Sequence, residues 1–514
     1  MIASNRRTFL GSLGGVLAFG LGGVAGGRTG GRIGLLERRL DTLDLGRFEA
    51  LAALLQETGP RDLQTILIAK LRAGLPLEDL VAAGALANAR SFGGHDYDGY
   101  HCFMALMPAW EMSKELEGEE RWLPVLKVIH RTARRIQDTG GRDDALGALG
   151  ALGEERTQDA SQARKDLWQS YLARDIAGAE RAFHRGAGAK EALDDVQSIL
   201  RETLDVHRVV LTWRSWDALQ LTGEEHAETL LRQPIRWFID REESRVARGL
   251  PTPPLRTLLP ALMEDHDLTR AARGTRRASD DELDELCKVV FSCEQEDAAR
   301  AVVEALAGGL AHEDVGEALS LAANKLLLHD PGRREAEGRD KPKGSVHGAS
   351  VGIHASDAAR AWRNLAAVSG DADSAANLIA GAYHTAGRSR WVASEPYAYA
   401  RHVPELERFE PGQLLLDLAT AVSERDQERA GAFAACYGSR GLDPAPLFAK
   451  LHAAALEADG ALHAEKYYRT VREDHAASRP RHRGNHLIAL ARVCASQAGF
   501  EAPGLAEARA ALKG

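Results

Sequence analysis

The sequence predicts an all-α protein, with a single large multi-helix domain following an N-terminal segment of different character. Three observations carry this expectation. Ala, Leu, Glu and Arg, all strong helix formers, dominate the 514 residues. Apolar residues recur at helical spacing in segment after segment. Alternating apolar-polar runs bounded by hairpin turns are scarce.

Taken in order, the periodic segments are Phe48 to Leu55, Leu63 to Leu71, Cys102 to Met112, Val196 to Leu211, Ala299 to Leu310, Ala358 to Val368 and His486 to Cys494. Ser161, Ser279 and Asp357 are of the residue type that caps helix N-termini. Three stretches read as loops: the proline-broken Leu250 to Pro254, the polar and basic Thr269 to Asp281, and the Gly-, Pro- and charge-rich Asp330 to Ser345. No fixed-period repeat is visible, which argues against a regular solenoid. The expected organisation is a leader over 1–26, a linker and first helix over 27–60, and the helical domain over 61–510.

Charge excludes one class of partner. The chain carries a net −9, and is more acidic still without Arg6 and Arg7. Nucleic-acid binding needs clustered cations to neutralise phosphates. The basic stretches Arg270 to Arg277, Arg333 to Lys343 and Arg479 to Arg483 lie among acids or in loops, which reads as solvated charge. The five cysteines, Cys102, Cys287, Cys293, Cys436 and Cys494, are too few for a disulfide scaffold and are expected as free thiols.

Ser4-Asn5-Arg6-Arg7-Thr8-Phe9-Leu10, followed by a weakly apolar, glycine-rich stretch to Gly26, resembles a twin-arginine export leader. The stretch is too short and too glycine-broken for a comfortable span, which takes ~20 apolar residues. The leader implies export to the periplasm, with membrane contact only through this segment if it stays uncleaved. That route carries proteins already folded, often around a cofactor.

The 18 histidines hold the chemical interest. His95 and His101 bracket the start of an apolar helix, His207 opens another, His347 and His354 flank a third, and His384 and His486 sit in two more. A buried imidazole must have its nitrogens satisfied, and a metal does this for several at once. His347 and His354 are seven apart, two turns on one helical face and about 10 Å along the axis. One metal does not easily take both. Metalloprotease, zinc-finger and deaminase signatures are absent from the sequence, as are dinucleotide and Walker loops. Ser345 and Ser350 lack a nucleophile elbow. Asp96 and Asp98 are candidates to orient His95 or His101. Trp213, Trp216 and Trp362 are candidates to line an aromatic pocket, core packing being the alternative.

Four segments resemble the questin oxidase-like family in order: His95 to Met107, Val206 to Leu219, Val346 to Arg360 and Asn485 to Ile488. Together they span roughly residues 90 to 495. Ala489 departs from the pattern, standing where the family tends to have lysine. The resemblance implies a helical oxidoreductase with a histidine-rich metal centre, non-haem iron or another first-row metal, acting with dioxygen on a small organic molecule. On the matching positions His101, His207, His347 and His486 are the implied ligands with His384 as a fifth, and His95 and His354 are the implied catalytic or supporting residues. The alternatives are a non-enzymatic helical scaffold or partner-binding protein, and a metal-dependent hydrolase, for which the helices offer few carboxylates.

Overall fold

Helix-favouring residues realise their propensity along most of the chain. In the computed structural model three-quarters of the described residues are helical. The described residues hold no strand; isolated bridges join Arg276 with Leu310 and Ala458 with Glu501. The structure describes residues 43–140, 146, 147, 149, 159–184, 188–348, 350–459 and 462–513. The expected export leader therefore lies outside the described residues.

The first half of the body contains α1 (Glu49–Glu57), α2 (Pro60–Arg72), α3 (Leu77–Phe92), α4 (Tyr97–Ser113), α5 (Leu123–Thr139), α6 (Ala160–Ala173), α7 (Ile176–His184), α8 (Gly188–Leu200), α9 (Val206–Asp217), α10 (Leu219–Thr222), α11 (Ala227–Ala247) and α12 (Leu255–Asp265). The second half contains α13 (Asp280–Ser292), α14 (Gln295–Ala307), α15 (His312–His329), α16 (Val351–Val368), α17 (Asp371–Thr385), α18 (Val403–Leu406), α19 (Pro411–Ser423), α20 (Gln427–Ser439), α21 (Ala445–Glu457), α22 (His463–Ala477), α23 (Pro480–Gln497) and α24 (Leu505–Lys513). No helix among the described residues is long and apolar enough to cross a membrane.

Several local expectations need correction. Val196 to Leu211 is two helices, α8 and α9, because Asp205 caps the second by accepting from the His207 N–H. Asp357 lies inside α16, whose cap is Ser350. The cap of α6 is Asp159, not Ser161. Ser279 does cap α13, in a reciprocal capping box with Glu282. The first helix expected within 27–60 is present as α1. Phe48, Ala52 and Leu55 are buried in the common core, and Glu49 pairs with the wholly buried Arg90 of α3.

Four helices form a closed ring that positions the site: α4 packs on α9, α9 on α16, α16 on α22 and α22 back on α4. A glycine sets one side of this frame. A Cβ at Gly352 would stand 2.3 Å from the Leu327 Cα, so α15 and α16 touch backbone to backbone two residues ahead of His354.

The ring is fastened by buried charge. Arg469 of α22 donates to both carboxylate oxygens of Asp217 on α9, which also accepts from Arg214. Arg360 of α16 pairs with Glu473 and Asp474 of α22, and Thr470 donates to Asp357. Lys127 of α5 meets Glu465 of α22 at 2.5 Å, both fully buried, and also donates to the carbonyls of Leu456 and Ala458 at the end of α21. Such pairs hold position, because removing one partner strands the other charge.

Candidate functional site

Each helix of the ring brings one histidine in its first turns: His101 on α4, His207 on α9, His354 on α16 and His463 on α22. Their ring centroids follow the same cyclic order as the helices. His101 to His207 is 4.9 Å, His207 to His354 is 5.8 Å, His354 to His463 is 5.5 Å and His463 to His101 is 5.5 Å. Imidazoles on one first-row metal, with bonds of about 2.1 Å, hold neighbouring centroids about 5 Å apart. The Nε2 atoms of His354 and His463 lie 3.4 Å apart, the edge length such a centre has. Among the described residues, no three His, Cys, Asp or Glu side chains already converge as a metal-holding group.

Two of these rings are keyed from behind. The Nδ1 of His101 donates to the Tyr97 carbonyl at 2.8 Å, and its Nε2 is buried with no hydrogen-bond partner. The Nδ1 of His207 donates to Asp205 Oδ1 at 3.0 Å, and its Nε2 is likewise buried and unpartnered. Donation from Nδ1 fixes the tautomer that leaves Nε2 a lone pair, the arrangement found behind metal-ligating histidines. Both lone pairs are therefore available to a cation at the ring's centre.

Electrostatics keep three of the four rings neutral. Burial holds His101, His354 and His463 well below the usual imidazole range, and the Lys466 ammonium and the neighbouring histidines lower them further. Lys466, one turn after His463, is buried, and burial pushes it down to about 8 with Asp357 opposing. Its ammonium makes no hydrogen bond or ion pair within 4 Å among the described residues. Burial raises the Asp205 carboxyl, but His207 and His384 outweigh that and hold it well below the carboxylate range. A cavity of about 260 Å³ opens against His101 and His463, walled by Tyr97, Leu462 and the α5 arginines Arg131 and Arg135.

The expected ligand set is not brought to one point. His101 and His207 meet, but His347 and His486 do not join them. His347 lies ahead of α16 rather than on it, so it shares no helical face with His354. Its Nδ1 meets Ser496 and its Nε2 the Asp340 carbonyl, so both nitrogens are satisfied. The ring of His486 likewise sits between Asn324 and Ser478. His384 accepts at Nδ1 from the indole of fully buried Trp362, which places its hydrogen on Nε2 and leaves that atom a donor. His354, expected as a supporting residue, stands in the ring. His95 makes no ring contact with the four, and burial, then the Arg236 guanidinium, lowers its pKa. Asp96 caps α4 and pairs with Arg135, and His101 is oriented by a backbone carbonyl.

Sequence reasoning missed His463, Lys466 and Asp205. The usable signal was positional: like His207, His463 opens a helix, and Asp205 is a capping residue two before a histidine. No protein-family model, curated protein or solved structure matches the chain.

Proposed function

We propose that the four-histidine ring holds a first-row transition metal, non-haem iron foremost, and that the protein is an exported oxidoreductase acting with dioxygen on a small organic substrate. The observation that carries this reading is the pair of buried, unpartnered Nε2 atoms on His101 and His207, each keyed by a donating Nδ1. A buried polar atom without a partner carries a desolvation cost of ~1–3 kcal/mol, and a bound cation removes both costs at once. The ligand set is then His101, His207, His354 and His463, replacing His347, His384 and His486. When bound, such an ion supplies the redox chemistry.

The chain's own groups have distinct parts in this reading. Tyr97 and Asp205 hold two ligand rings in the right tautomer. Lys466 sets an unpaired positive charge beside the ring, where negative charge developing on a substrate is stabilised. The cavity at His101 and His463 admits the reactant.

The scaffold reading is favoured by one observation, the absence among the described residues of three donors already gathered. Titration of chelator-treated, untagged protein with Co(II) separates the two. The oxidoreductase reading expects one equivalent bound, with visible ligand-field bands of nitrogen coordination. An unchanged spectrum and no binding would support the scaffold.

A further inference from the structure

The cavity of about 260 Å³ at the histidine ring carries three cations on one wall. Arg131, Arg134 and Arg135 stand at i, i+3 and i+4 on α5, so one helical face turns all three towards it. They are not equally engaged. Arg135 donates to Asp96 from Nε at 2.8 Å and from Nη2 at 2.5 Å, and Asp98 stands 3.6 Å from its third nitrogen. Arg134 stands out in solvent, 3.9 Å from an equally exposed Asp138. Arg131 lies between these extremes. Its Nη2 donates to Asp459, while its Nε and Nη1 make no hydrogen bond among the described residues. Its side chain is 26% exposed, sheltered by the fold yet open on the cavity it lines.

The rest of the lining sorts by chemistry. His101 and His463 bring two corners of the ring to the cavity, their centroids 5.5 Å apart. The Tyr97 ring lies 4.2 Å from that of His101 and adds an aromatic wall. Leu462 and Pro503 supply apolar surface, Leu462 in a left-handed conformation (φ 64°) directly ahead of His463. Backbone held in that region by a residue with a Cβ recurs at ligand sites. Pockets for drug-sized molecules run to about 300–1,000 Å³, so this smaller one suits a single substituted ring or a short chain.

We propose that this cavity takes a small organic monocarboxylate, its carboxylate held by the open nitrogens of Arg131 and its body against Tyr97 and Leu462, with His101 and His463 beside it. A guanidinium with unengaged N–H groups is the side chain best matched to a carboxylate. The same lining selects a single negative charge. Arg131 is the sheltered cation with open donors, whereas Asp98 and Asp138 also line the cavity, so a second carboxylate on the ligand meets like charge. Arg134, exposed beside them, draws the anion in from solvent without fixing it. The proposal rests on the reading that substrate meets this histidine ring, and it names the substrate class.

The test is calorimetric titration of the full chain with benzoate, its neutral isostere benzamide and the dianion phthalate, metal content being measured on the same samples. Benzoate should bind at least about tenfold tighter than benzamide, the size of one charge-assisted hydrogen bond, and tighter than phthalate. Arg131→Met should lose the preference over benzamide at unchanged metal content. Arg131→Lys, which keeps a cation beside Asp459, should recover part of it. Equal binding of benzoate and benzamide by the wild type, benzoate affinity unchanged in Arg131→Met, or phthalate binding as tightly as benzoate overturns the proposal. Should Arg131→Met not fold, the wild-type comparison and a weakened benzoate affinity in Arg131→Lys decide it. Benzoate preference through Arg131 in a protein without metal would overturn only the metal reading. Stoichiometric metal with no charge preference would overturn only this one.

Discussion

His354 and His463, 109 residues apart in sequence, bring their Nε2 atoms to 3.4 Å across the packed faces of α16 and α22. Two imidazoles facing at that distance share either one hydrogen or one cation. Burial holds both well below the usual imidazole range, so both rings are neutral, and the shared hydrogen is then the Nε2–H of one ring donated to the lone pair of the other. The other two corners, His101 and His207, each carry a buried Nε2 lone pair without a partner. The frame and the buried charges that fasten it can each be tested.

Gly352→Ala tests the frame. The added Cβ meets backbone atoms of Leu327 at 2.3 and 2.7 Å, and backbone cannot swing aside. Helix α16 must shift and carry His354 with it. The expected outcome is destabilisation of ~1–3 kcal/mol in urea unfolding, together with weakened metal binding. Wild-type stability and metal affinity would show that α15 and α16 are not seated this closely.

Asp217→Ala tests the fastening. Asp217 bridges Arg214 and Arg469, and all three are buried. Its loss leaves two interior guanidinium groups without their shared carboxylate. A cost of ~3–5 kcal/mol is expected. Restoration on adding Arg469→Met, measured by a double-mutant cycle, would assign the cost to the stranded charge rather than to lost packing.

The fold was legible in the sequence and the site only in part, for a common reason. Helical periodicity is local, and it located the segments that became α4, α9, α16 and α23. Convergence is not local. His486 and His354 look alike in sequence, each an imidazole within an apolar helix. His486 is satisfied by Asn324 and Ser478, and His354 faces a cluster. His347 was read onto the helix of His354 because seven residues make two turns, but Ser350 caps that helix and strands His347 outside it. His463 gave little signal because its helix carries Glu465, Lys466 and Arg469, which look solvated in sequence and are buried in the fold.

Acid sensitivity should follow from His347 and His486. Burial lowers each to about 4, whereas the unfolded imidazole titrates near 6.5. Between those values the unfolded chain binds more protons, so stability is full above about pH 6.5 and falls as pH drops towards 4. Each group contributes up to ~1.4 kcal/mol per pH unit. Urea midpoints at pH 7.5 and pH 5 check this in wild type and in His486→Gln, which should show a shallower loss. Equal midpoints at both pH values would contradict it.

The export proposed for the leader is tested at Arg6 and Arg7. Replacing both by Lys should leave the protein in the cytoplasm, as read by fractionation. Undiminished export of the double variant would make the pair incidental.

The central claim is that His101, His207, His354 and His463 hold one metal, and it is tested most directly by elemental analysis of untagged protein and its single alanine variants. About one metal ion per chain is expected in the wild type, with strong loss in each of these four variants. His347→Ala and His486→Ala should keep their metal while losing stability. A metal-free wild type would contradict the account, as would loss of metal from His347→Ala or His486→Ala with retention in His354→Ala and His463→Ala.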